Sequence, residues 1–153
     1  MSDGLINEGI TIFALGGLGE VGKNIYCIET KNTIVIIDAG VIFPEIDIQG
    51  VKYVVPDYKY LQSNPKNKFL LITHGHEDHI GAINIILQEL NILLIYASKF
   101  AAELIRHKMD LLHVKKPSIV EYDENSFFKL IKVRLKFLFF VLHIQFLMLL
   151  VLF

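Results

Sequence analysis

The most constraining feature of the chain is LLITHGHEDHIGAI, residues 70–83, in which His74, His76, Asp78 and His79 follow directly on an apolar run. A continuous apolar run closed by Thr73 reads as a buried strand, and the apolar spacing from Ile80 onward reads as a helix. The cluster therefore sits where a strand hands over to a helix, at the carboxyl edge of a sheet, where ligands gather in α/β folds. Residues two apart in extended backbone project to the same side, so His74 and His76 can hold one ion together. Asp78 and His79, at the turn into the helix, are displaced enough to serve a second. Imidazole nitrogens with a carboxylate oxygen suit Zn2+, and Mn2+ is chemically admissible. Paired ions of this kind ionise water and bind an oxygen of a scissile ester, the arrangement typical of phosphodiester cleavage. Asp78 is accordingly the candidate catalytic carboxylate as well as a ligand. Glu77 projects between the ligand positions and reads as solvated, and the isolated His107 and His113 read as ordinary polar residues.

The flanking sequence predicts an α/β fold. ITIFAL, NIYCIET and TIVIID read as three strands of an antiparallel opening, the last two joined by a tight turn at Lys31 and Asn32. AGVIFPEIDIQGVKYVVPD is an irregular excursion, DYKYLQSN a short helix and FLLI a buried strand. Ile80, Ile83, Ile86, Leu87 and Leu90 share one helical face. NILLIYA is the next strand, and SKFAAELIRHKMDLL is a helix with Ser98 as its N-cap. SIVEYD and FFKLIKVRL read as final strands, so helices cover a largely continuous sheet.

At 153 residues the chain has room for one domain. An apolar fraction of 53% and a formal net charge of −1 exclude disorder and a strongly basic nucleic-acid surface, so any RNA binding must come from a local site. Cys27 is the only cysteine and lies in an alternating run, which fits a small core residue and rules out a disulfide within the chain. With no apolar signal at the N-terminus, a cytoplasmic location is expected.

Gly17, Gly19 and Gly22 satisfy G-x-G-x-x-G after a strand, and Asp38 ends a later strand, as a dinucleotide site would want. That fingerprint needs a helix whose N-terminal N–H groups face a pyrophosphate. Here KNIYCIET follows, alternating like a strand, so the glycines are expected instead to permit positive φ and close backbone approach near a site.

H-x-H-x-D-H is the signature of the metallo-β-lactamase fold, and GGLGEVGKN, IDAGVIFPE, YVVPDY and THGHEDHIGAI, in that order, resemble the N-terminal part of the ribonuclease J family of the β-CASP group. The resemblance runs from about Ile10 to Tyr96 and less sharply to about Lys132. It implies an α/β/β/α sandwich, present as its N-terminal portion only, two Zn2+ ions, and 5′-to-3′ exonuclease and endonuclease action on RNA in rRNA and mRNA maturation. It also implies a homo-oligomer for the intact family member. Asp38 is similar to the family's first-motif aspartate, which supports the metal loop from behind. The family's further histidines, bridging carboxylate and RNA-binding domains come from later motifs, so the chain is expected to be an inactive fragment.

From Phe137 to Phe153 the sequence carries no charge, which resembles a short membrane anchor after Lys129, Lys132, Arg134 and Lys136. It is shorter than the roughly 18–20 residues that span a bilayer. VLHIQFLMLLVLF, in one permissible set of codons read from the third base, gives ITHSIPDAFGIV, which looks like the family's next histidine motif. Residues 1–136 are therefore expected to be a partial metallo-β-lactamase-fold domain, and 137–153 a tail out of frame through a one-base slip, with no membrane partner. His143 stands near the motif's histidine without being encoded as it. Two other readings share part of the pattern: a small-molecule hydrolase of thioesters or lactams using the same ligands, and a non-enzymatic membrane-tethered module.

Overall fold

The computed structural model describes residues 9–44, 49–111, 116–123, 128–129, 135–142 and 145–152. Six strands form one sheet in sequence order: β1 (Thr11–Gly16), β2 (Ile25–Glu29), β3 (Thr33–Ile37), β4 (Asn67–Leu71), β5 (Ile92–Ser98) and β6 (Ser118–Tyr122). The first three are antiparallel neighbours and the last three join in parallel. This is the antiparallel opening followed by strand–helix–strand units that the sequence predicts.

β3, β4 and β5 read as continuous apolar runs because both sheet faces are covered. Ile34, Ile36, Leu70, Ile72 and Ile95 share one core with Leu61, Ile80, Ile83, Ile86 and Ile105 of the helical segments. Alternate residues Val35, Ile37, Phe69, Leu71 and Tyr96, with Tyr122, form a second buried cluster. Each wholly buried aliphatic side chain contributes ~1.5–3 kcal/mol.

The helices are α1 (Lys59–Ser63), α2 (Glu77–Ile80), α3 (Ile83–Glu89) and α4 (Lys99–Asp110). Ser98 caps α4 as expected, its hydroxyl accepting from the Ala101 N–H. One expectation is corrected here: the segment after the histidines is two short helices, not one helix starting at Ile80. Ala82 N–H would bond the Asp78 carbonyl in a continuous helix, but it donates to Ala39 O at 2.8 Å. The Asp78 carbonyl is taken instead by the backbone and side-chain amides of Asn24. The helix thus breaks because its carbonyls are diverted to neighbouring loops, and Ile80, Ile83, Ile86, Leu87 and Leu90 nevertheless stay buried.

Three further strands, β7 (Phe128–Lys129), β8 (Leu135–Leu142) and β9 (Gln145–Leu152), form a separate antiparallel sheet. His143 and His113 lie outside the described residues. Among the described residues no helix is long and apolar enough to cross a membrane.

Candidate metal centre

Because β3 and β4 run parallel with Ile37 opposite Leu71, both strands end at the same edge. Asp38 therefore emerges beside Ile72, Thr73 and His74. Asp38 adopts φ of +64°, a left-handed conformation that Asp tolerates better than most residues. Its backbone N–H donates to Leu71 O and its carboxylate turns inward, buried.

That carboxylate organises two of the histidines. Oδ1 accepts from the Thr73 N–H at 2.8 Å, and Oδ2 stands 2.7 Å from Nδ1 of His79. The Thr73 hydroxyl lies 3.0 and 2.8 Å from the two carboxylate oxygens and 3.1 Å from Nδ1 of His74. A hydroxyl has one proton, and a carboxylate only accepts, so Thr73 donates to Asp38 and accepts from His74 Nδ1–H. Asp38 thereby fixes the proton on Nδ1 of His79 directly and on Nδ1 of His74 through Thr73. In the neutral rings both Nε2 atoms then carry a lone pair, the arrangement that prepares imidazoles for a metal.

His74, His76 and Asp78 bring one ligand atom each to within 4.8 Å of one another. His74 is buried, His76 exposed and Asp78 intermediate, so the group opens to solvent on one side. His79 completes the set: its ring centroid lies 3.9 Å from that of His74, and its Nε2 is 3.1 Å from Asp78 Oδ2. All four residues of the H-x-H-x-D-H motif therefore converge.

Whether a cation fits is decided by His74, whose Nε2 is buried with no hydrogen-bond partner among the described residues. An orphaned buried imine nitrogen costs about 1–3 kcal/mol of lost solvation unless something binds it. The nearby donors are nitrogen and carboxylate oxygen, a set that suits Zn2+ or Mn2+. Burial, with the charge of His79 adding, holds the His74 pKa below the ordinary imidazole value, so the ring stays neutral and ready to ligate. At His79 burial opposes charging, but the hydrogen bond and charge of Asp38, with Asp78 adding, outweigh it and raise the pKa.

Two details differ from the sequence reading. Glu77, Asp78 and His79 are already helical, in the turn of α2, ahead of the start expected at Ile80, since Ile80 N–H and His79 N–H both bond His76 O at 2.9 Å. Glu77 is not simply solvated: its carboxylate pairs with Lys108 of α4 at 2.8 Å, which ties the ligand turn to that helix.

The sequence reading also missed Thr73, Asn24 and Tyr122 as supports. The buried Tyr122 hydroxyl donates to the carbonyls of Ile72 and Thr73, bracing the strand end that carries His74. Burial pushes this phenol's pKa well up, which keeps it a donor. The glycine-rich turn contains no helix, and Gly17, Gly19 and Gly22 all have positive φ, as expected of a loop that approaches a site rather than one that cradles a pyrophosphate.

Residues 18–146 match the profile of the Metallo-beta-lactamase superfamily. The chain belongs to the metallo-β-lactamase superfamily. This superfamily chain is also similar to Ribonuclease J 1 of Streptococcus pyogenes serotype M3, 53% identical over 102 residues that cover 66% of this chain and 18% of that protein. Ribonuclease J of Mycoplasma pneumoniae is 44% identical over 77% of this chain and 21% of its own length. Ribonuclease J2 of Bacillus subtilis strain 168 is 35% identical over 81% and 24% respectively. The chain thus spans 18% to 24% of these curated relatives. Among solved structures, a protein of unknown function from Enterococcus faecalis V583 superposes with a TM-score of 0.65 at 15% identity, covering 94% of this chain and 41% of that one. That likeness concerns the fold alone, and it agrees with a mixed six-stranded sheet carrying helices.

Proposed function

We propose that this chain carries the metal-binding part of a ribonuclease J-type hydrolase whose substrate is RNA. The observation that carries the reading is the convergence of His74, His76 and Asp78 around the buried, unpartnered Nε2 of His74, in a sequence similar to proteins named ribonuclease J. His74, His76, Asp78 and His79 would hold two divalent ions, Zn2+ by donor type with Mn2+ admissible. Bound ions of this kind polarise a phosphoryl oxygen and lower the pKa of water. Asp38 and Thr73 keep the imidazole lone pairs turned to the site. Asp78 combines its ligand role with that of a carboxylate at the solvent-facing side, able to take a proton from an attacking water.

The finer proposal follows the same resemblance: 5′-to-3′ exonuclease and endonuclease action in rRNA and mRNA maturation, in the cytoplasm, by a homo-oligomer of the intact family member. It includes a partial domain over residues 1–136 and an out-of-frame tail over 137–153, with His143 only near the family's third histidine position. Resequencing the T-rich run encoding Phe137 to Phe140 tests the slip; a clean read in the given frame retires it.

The activity test offers a 5′-monophosphorylated, end-labelled RNA and a thioester to the chain and to a version continued in the alternative frame, each with Zn2+ or Mn2+. Release of nucleotides by the extended version supports the proposal, whereas thioester hydrolysis without RNA cleavage assigns the small-molecule reading instead.

A further inference from the structure

The glycine-rich turn delivers one side chain to the ligands. Asn24 lies at its end, just before β2, and its Nδ2 is 3.1 Å from the Asp78 carbonyl oxygen, 3.3 Å from Asp78 Oδ2 and 3.3 Å from His79 Nε2. All three are acceptors when His79 is neutral, its one proton then lying on Nδ1 against Asp38. The NH2 group offers two protons to these surroundings, where an amide oxygen would be repelled. The other end of the amide packs against the turn: a Cβ on Gly17 would stand 2.5 Å from Asn24 Oδ1. Gly17, at φ of +86°, therefore leaves the space that Oδ1 needs. The backbone is held as well, Asn24 N–H donating to Asp78 O at 3.3 Å and Asn24 O accepting from Gly40 N–H at 3.1 Å.

Asp78 Oδ2 and His79 Nε2 stand 3.1 Å apart. Two acceptors at that separation repel unless a donor or a cation lies against both. We propose that Asn24 is a positioning residue for Asp78 and His79 as metal ligands: its carboxamide holds the two ligand atoms together before an ion arrives. The imidazole nitrogen has one lone pair, so Asn24 must release His79 on ligation, but it retains Asp78 through the carbonyl. The inference rests on the metal-binding reading above and adds a residue that the H-x-H-x-D-H motif does not contain.

The test is calorimetric titration of the wild-type chain, N24A and N24L with Zn2+, with Co2+ absorption spectra as a second readout. Leucine keeps the bulk of asparagine and removes its donor, so loss in both variants reports the amide and not a cavity. Expected is a Zn2+ affinity lowered about 10–100-fold, the usual effect of removing a group that orients a ligand. Zn2+ binding as tight as wild type, or tighter, in both variants overturns the proposal. If the wild type takes up no ion, the metal reading fails, and 15N spectra of the metal-free histidines decide about Asn24. A His79 Nε2 resonance that moves toward the unbonded imine position in N24A supports the contact; an unmoved one overturns it.

Discussion

Replacing Asp38 by asparagine is expected to disable His79 as a ligand while leaving the fold in place. Asparagine tolerates the φ of +64° at this position, so the backbone is not strained. Its carbonyl must face the Thr73 N–H now bonded to Oδ1 at 2.8 Å, which puts its NH2 where Oδ2 stands 2.7 Å from His79 Nδ1. The imidazole then moves its proton to Nε2, beside Asp78, and the lone pair needed by an ion is gone. Zn2+ affinity should fall about 10–100-fold, or ~1.4–2.7 kcal/mol. For the metal-free chain, the lost charge-assisted bond costs ~1.5–3 kcal/mol when His79 is protonated. Because His79 has a raised pKa in the folded state, its contribution to stability is complete below the ordinary imidazole value of about 6.5 and is lost as pH rises through the raised value. Urea unfolding of metal-free wild type and D38N across that range should show a gap that is widest on the acid side. A gap that widens with rising pH, or wild-type Zn2+ affinity in D38N, would refute the tautomer argument.

Thr73→Val, nearly isosteric, should leave His74 Nδ1 and one Asp38 lone pair unpartnered, costing ~1–3 kcal/mol in urea unfolding and weakening Zn2+ in titration calorimetry. Gly40→Ala should destabilise by ~1–3 kcal/mol in thermal unfolding, since its Cβ would run into the backbone carbonyl of Asp78 and the backbone nitrogen of Asn24. Tyr122→Phe removes the donor to the Ile72 and Thr73 carbonyls and should cost ~1–3 kcal/mol by the same urea assay. Zn2+ affinity of the wild type should drop in calorimetric titrations as pH falls through the raised His79 pKa, because the ion must displace a proton from His79, and that competition begins above the ordinary imidazole pKa.

Much of this architecture is legible in the residue pattern. TIVII and the run ending at Ile72 announce doubly covered strands through unbroken apolar content, and Ser98 announces the start of α4. The H-x-H-x-D-H spacing announces its own four candidate side chains, because residues this close in sequence need only local geometry to converge. What the pattern hides are contacts set by distant pairing. Asn24 reaches Asp78 across 54 positions, and Tyr122 reaches Ile72 across 50. The break between α2 and α3 belongs to the same class: Gly81 weakens the helix locally, but the carbonyls of Asp78 and His79 are claimed by Asn24 and by the Ala39 N–H, partners that no helical periodicity reveals. Lys108 likewise finds Glu77 only because α4 packs beside the ligand turn.

The ion itself offers the most direct measurement. Elemental analysis of the folded wild-type chain, exposed to Zn2+ and passed through gel filtration, is predicted to find stoichiometric zinc that is absent from the H74A/H76A variant. Folded wild type that emerges without zinc or any other divalent metal contradicts the reading of His74, His76, Asp78 and His79 as ligands.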